Sequence, residues 1–203
     1  MASTIRQTSE ALPEEEQLRA VQYRLLARLL ASAPDESVLR LASGLTGDDS
    51  PLGAALGNLG RVATRTTPAA VSDEYAGLFI GVGRGELLPY ASYYLTGFLN
   101  EKPLARLRQD MARLGIARAE EVKEPEDHIA AICEMMAGLI EGSFDVAADL
   151  ETQRAFYERH LAPWAERFFA DLEAARSAAF YAPVGSVGRA FMEIERAAFA
   201  MSE

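Results

Sequence analysis

One cysteine and two histidines among 203 residues leave little with which to build redox or metal chemistry. Cys133 has no partner for an internal disulfide, and its position in the apolar phase of a helical stretch makes it a packing residue. A zinc site needs three or four ligands, yet His128 and His160 lie far apart and no His-Glu-x-x-His occurs. The Glu-x-x-His pairs of carboxylate di-metal bundles are missing as well. No cofactor is expected, and hydrolytic or metal-dependent catalysis is not.

The chain has no apolar run approaching the roughly 18 residues that a membrane-spanning helix needs. Met1 to Glu16 carries a single base, Arg6, and no apolar core, so it does not read as a secretory signal; the expected location is the cytoplasm. Lys and Arg number 20 against 30 Asp and Glu, for a net charge of −10. Too few bases remain to neutralise phosphates, so nucleic acid is not an expected partner. An acidic surface keeps a protein soluble and suits a basic partner. Internal repeats and low-complexity tracts are lacking, and no segment alternates apolar and polar residues long enough to make a convincing strand.

Helical periodicity fills the chain instead. After Pro13, the residues Leu18, Val21, Leu25, Leu26, Leu29 and Leu30 recur at steps of three and four, which predicts an amphipathic helix ending near Pro34. Asp35 can cap a short helix with Val38, Leu39 and Leu45, and Ser50-Pro51 opens another with Leu52, Leu56, Leu59 and Val62. A further helix from Ala69 carries Val71, Tyr75, Leu78 and Phe79 into Gly81-Val82-Gly83-Arg84-Gly85, where three glycines demand a loop. That loop lacks the Lys-Ser/Thr of a P-loop and any preceding strand, so it reads as a hinge (81–85) rather than a phosphate cradle. Helices are also expected through Tyr93, Tyr94 and Phe98, from Pro103 to Gly115, from Val146 to His160, from Pro163 to about Arg176, and from Val187 to Met201. The expected fold is all-α: one compact helical domain over residues 1–203, with about eight to ten helices joined by short loops.

Glu124-Pro125-Glu126-Asp127-His128 stands directly before the apolar stretch Ile129 to Ile140. Pro125 suits a first helical turn, and the surrounding acids suit the positive end of a helix dipole, which predicts a helix beginning at the motif. His128, beside acids at a helix start, can donate outward or be polarised by a carboxylate. As a general base it would need Asp127 or Glu124 to orient it, yet sequence neighbours on a helix point in different directions. Tyr75, Phe79, Tyr90, Tyr93, Tyr94 and Phe98 gather on both sides of the glycine loop. Most fit a core, and a few lining a groove beside Asp127 and His128 would give an apolar floor with an acidic rim, suited to a peptide with a basic head and apolar body.

Tyr75-x-x-Leu78-Phe79-x-Gly81, Pro89-Tyr90-x-Ser92-x-Tyr94, Glu124 through Ala130, and His160-Leu161-x-x-Trp164 occur here in an order and spacing that resembles the TorD/DmsD/NarJ family of redox-enzyme maturation chaperones. The likeness extends to Tyr23-x-Leu25-Leu26-Ala27-x-Leu29, Pro34-Asp35 and Phe180-Tyr181, and so covers most of the chain. The resemblance implies an all-helical, non-enzymatic cytoplasmic chaperone. It would bind the twin-arginine leader, and often the body, of a molybdopterin oxidoreductase catalytic subunit, holding back export until the cofactor is inserted. The family's groove, carried over by position, implies peptide-binding roles for Tyr75, Phe79, Tyr90, Ser92, Glu124, Asp127 and His128; many relatives carry tryptophan where this chain has Tyr75. Members occur as monomers or as homodimers with exchanged segments. An assembly factor for a non-exported molybdoenzyme subunit is the alternative on the same fold, and a small-ligand domain or enzyme around His128 is the alternative from another class.

Overall fold

The computed structural model describes residues 12–81, 84–119, 122–144 and 147–201. Val82 and Gly83 of the expected hinge, and Val146 of an expected helix start, lie outside them. Ten α-helices follow in order: α1 (Glu14–Leu30), α2 (Glu36–Ser43), α3 (Pro51–Ala63), α4 (Pro68–Tyr75), α5 (Ala91–Thr96), α6 (Lys102–Arg113), α7 (Ile129–Glu141), α8 (Leu150–His160), α9 (Ala165–Glu173) and α10 (Tyr181–Met201). A π-helical turn, Ala76–Ile80, continues α4 without a break. The fold is all-α, and the described residues contain no strand beyond one isolated antiparallel bridge between Tyr90 and His128.

Local chemistry sets most helix starts. Asp35, Ser50, Thr67 and Asp149 each accept a backbone N–H of the first turn they precede, which satisfies donors a helix start would otherwise leave unpaired. Gly142 closes α7 in the left-handed region at φ 77°, where a side chain would be strained.

α7 is the central helix. Its residues Ile129, Ile132, Cys133, Met136 and Ile140 are wholly buried, and it packs chiefly against α1. α10 packs against α9 and α3. Gly185 permits the first of these contacts: a Cβ there would stand 2.5 Å from the Glu173 nitrogen and 2.7 Å from the Phe169 carbonyl oxygen. A buried polar junction fastens α1 to α10. Arg19 grips Glu195 through two nitrogens at 2.7 and 2.8 Å, and the Tyr23 hydroxyl donates to the same carboxylate at 2.8 Å.

Several boundaries differ from the periodicity. Leu18 and Val21 are exposed, because the buried face of α1 follows Ala20, Tyr23, Leu26 and Leu30. α5 stops at Gly97, leaving Phe98 70% exposed. α10 starts six residues before the expected Val187, at Tyr181. Pro183 falls in its first turn, where a missing N–H is harmless, and Gly185 and Gly188 sit in its interior for packing rather than as breaks. α7 does not begin at Pro125. Asp127 O receives the Ala91 N–H and Pro89 O receives the Ile129 N–H, both at 2.9 Å, so the backbone around the motif is committed to segment 89–91 and turns helical only at Ile129.

Candidate functional site

The acidic motif is a bracket between helices. His128 is the N-cap of α7, and its Nδ1 accepts the Ala130 N–H at 3.2 Å. That bond requires a lone pair on Nδ1, so the neutral ring carries its proton on Nε2. Burial pushes the His128 pKa down to about 4, outweighing the opposing fields of Glu124 and Asp127. Burial thus keeps the histidine uncharged at neutral pH, and no carboxylate among the described residues bonds to it.

Asp127, 1% exposed, turns inward and accepts the Ser92 N–H through Oδ2 at 2.8 Å. Ser92 lies in the first turn of α5, so Asp127 caps that helix from across the bridge, while Asp127 Oδ1 and Ser92 Oγ are buried without a partner among the described residues. Glu126 faces α6 and pairs with Arg108 at 2.8 Å and Arg118 at 3.6 Å. Burial opposes its charged form, but these arginines hold its carboxyl below the usual range. Of the three acids in the motif, only Glu124 is exposed, and it accepts the Tyr90 hydroxyl.

The aromatic residues join this bracket in a chain. Tyr90 meets the His128 ring edge-on at 5.2 Å between centroids. Burial, reinforced by Glu124, raises the pKa of Tyr90 and also that of Tyr75, which places Tyr75 within the field of that carboxylate. Tyr75 packs on Phe79 at 4.9 Å, and Phe79 meets Tyr181 at 5.4 Å. Tyr90, Ser92, Glu124, Asp127 and His128 are joined by direct contacts, and Tyr75 and Phe79 form a second cluster with Tyr181. Their accessibility divides: Ser92, Asp127 and His128 are buried, Tyr75, Phe79 and Tyr90 half-buried, and Glu124 exposed. Tyr93, Tyr94 and Phe98 are not in this chain. Tyr94 packs on Trp164 and Phe168, and Tyr93 lies under Arg84.

Two supports were not legible from spacing. Tyr181 backs the aromatic chain from the far end of the sequence, signalled only by the Phe180-Tyr181 likeness. Asp110 accepts from His160 at 2.8 Å and from Arg159 and Arg113 at 3.0 Å, and no local pattern links α6 to α8. Among the described residues, no group of three or more His, Cys, Asp or Glu is arranged to hold a metal ion. Nor is any helix among them long and apolar enough to cross a membrane.

This combination of motif bracket and helical fold is shared with known proteins. The family model for the nitrate reductase delta subunit matches residues 45–170, which contain the whole bracket. The chain belongs to the TorD/DmsD/NarJ family of redox-enzyme maturation chaperones. It is 31% identical over 146 residues to the chaperone protein TorD of Vibrio atlanticus, covering 68% of each chain. To the chaperone protein TorD of Photobacterium profundum it is 31% identical over 138 residues, covering 64% of this chain and 63% of that one. A crystal structure described as a redox enzyme maturation protein from Archaeoglobus fulgidus shares the fold, with a TM-score of 0.56 at 21% identity, over 93% of this chain and 99% of that one. The relatives in this family are chaperones rather than enzymes, and this chain is a redox-enzyme chaperone of the same kind.

Proposed function

We propose that this chaperone works in the cytoplasm and binds the twin-arginine leader of a molybdopterin oxidoreductase catalytic subunit, delaying export until the cofactor is inserted. The observation that carries the reading is the exposed Glu124 carboxylate, fixed by the Tyr90 hydroxyl at the edge of the half-buried Tyr75 and Phe79 rings. A leader arginine pairs with Glu124, and the apolar stretch that follows covers the ring faces. Asp127, His128 and Ser92 act from beneath as positioning residues, since they hold Tyr90 and the α5 start in place.

The test is calorimetric titration of a synthetic twin-arginine leader peptide. Glu124→Gln weakens binding about two- to fivefold, the range for an exposed ion pair. Replacing both leader arginines by glutamine abolishes that difference between wild type and variant. Equal affinity of wild type and Glu124→Gln for the unaltered leader removes Glu124 from the groove. Binding only to the mature subunit would instead favour an assembly factor acting on the enzyme body.

A further inference from the structure

The protein is strongly acidic, yet one face gathers guanidinium groups around an open cavity. Arg106, Gln109, Asp110 and Arg113 of α6, together with Arg159 of α8, line a surface cavity of about 350 Å³. The α6 residues stand at positions i, i+3, i+4 and i+7 and so share one helix face. Arg106 and Arg113 are separated along that face by roughly 10 Å at the α-helical rise.

Asp110 organises this cluster without neutralising it. It is buried, and its carboxylate accepts from His160 Nε2 at 2.8 Å, from Arg113 Nη1 at 3.0 Å, and from Arg159 Nη1 at 3.0 and 3.1 Å. Burial of His160 lowers its pKa in spite of Asp110, so at neutral pH it adds a donor but no charge. Arg113 and Arg159 each use only Nη1 on Asp110. Their Nε and Nη2 have no partner among the described residues, and neither has any part of the exposed Arg106. Three cations thus face one carboxylate, on a chain whose net charge is −10.

We infer that this α6–α8 face is a docking surface for an acidic polypeptide segment of a partner protein, with carboxylates received by Arg106, Arg113 and Arg159. Planar guanidinium forks pair with carboxylates through two parallel bonds, and Asp110 holds two of the three forks in a fixed direction. The separation of Arg106 from Arg113 suits a segment presenting two or more acids along its length better than a single ion. The inference goes beyond leader binding and stands whether or not a leader docks at Glu124.

The experiment uses the full chain and a fluorescein-labelled octaglutamate peptide, followed by anisotropy at low salt, with inorganic phosphate as competitor. Wild type is expected to bind with an affinity that falls as salt rises. Arg106→Glu, which breaks no hydrogen bond or ion pair among the described residues, weakens binding about tenfold or more. Arg40→Glu on α2 makes the same change in net charge and leaves binding as it was. Failure of wild type to bind, or equal loss in Arg106→Glu and Arg40→Glu, overturns the inference. So does displacement of the peptide by phosphate at equal concentration, which would reassign the cavity to a small anion. Leader affinity measured on the same Arg106→Glu sample reports on Glu124 separately.

Discussion

Asp127 Oδ2 accepts the backbone N–H of Ser92 at 2.8 Å, so this carboxylate serves as a helix cap delivered from a distant part of the chain. Removing it strands a buried donor at the start of α5, while the backbone bonds between Pro89–Ala91 and Asp127–Ile129 remain. Asp127→Ala is expected to lose roughly 1.5–3 kcal/mol, as for hydrogen bonds to charged groups. In a chain of this size that is a fall in Tm of roughly 3–12 °C. Asp127→Asn keeps an acceptor oxygen and loses less. Thermal melts of the two variants decide it: equal melting of Asp127→Ala and wild type would show that the cap contributes nothing.

His128 makes stability depend on pH through burial. Its pKa is about 4 in the folded protein against an ordinary 6.5, so between these values the unfolded chain binds the extra proton. The histidine's contribution is complete above pH 6.5 and is lost as pH falls towards 4, a total of roughly 3 kcal/mol. Asn can cap α7 in its place but does not titrate. Urea unfolding at pH 7.5 and pH 4.5 should show a smaller loss for His128→Asn than for wild type. The lowered pKa of His160 acts in the same direction but is common to both proteins and cancels in the comparison. An identical loss in the two would place the acid sensitivity elsewhere.

What local pattern could and could not reveal follows from where each interaction lies in the chain. Although α8, expected from Val146, begins at Leu150 behind its cap Asp149, helix caps such as Asp35 and Ser50 act within three residues, and these starts are readable from spacing. The start of α7 is not, because the groups that delay it to Ile129 belong to Pro89 and Ala91. Periodicity put Leu18 and Val21 on the buried face of α1, whereas the side that α1 buries is fixed by Glu195 and α7, far along the chain. The motif likeness pointed to Glu124, Asp127 and His128, and Tyr90 and Ser92 contact that motif in space. It did not distinguish the exposed Glu124 from the buried Asp127, since burial depends on α5 packing over the turn.

Glu195 is wholly buried and is matched by Arg19, with the Tyr23 hydroxyl as a further donor. Burial works against the Arg19 charge, but Glu195 and Glu16 hold the guanidinium more firmly protonated than usual. Truncating Arg19 leaves the buried Glu195 carboxylate with the Tyr23 hydroxyl but no counter-charge, so Arg19→Ala is expected to lose about 3–5 kcal/mol. Glu36→Ala is the reference, because its i,i+4 pair with Arg40 is largely exposed and is worth at most about 0.5 kcal/mol. Chemical denaturation of both variants measures the contrast. If they unfold alike, the α1–α10 junction is not a source of stability.

Gly185 and Gly77 separate two meanings of a helical glycine. A methyl group at Gly185 would press on backbone atoms of α9, the Glu173 nitrogen at 2.5 Å and the Phe169 oxygen at 2.7 Å, neither of which can rotate away. At Gly77, in the π-helical turn, an added Cβ meets nothing within 4 Å. Alanine favours helix over glycine by up to about 1 kcal/mol, an advantage available at both positions. At Gly185 it is opposed by overpacking of about 1–3 kcal/mol or more, because α9 and α10 must move apart. Gly185→Ala should therefore melt below wild type, and Gly77→Ala at or above it. Melting of Gly185→Ala at the wild-type temperature would mean that the two helices separate freely, and the close approach at their crossing would then not be what holds α10 in place.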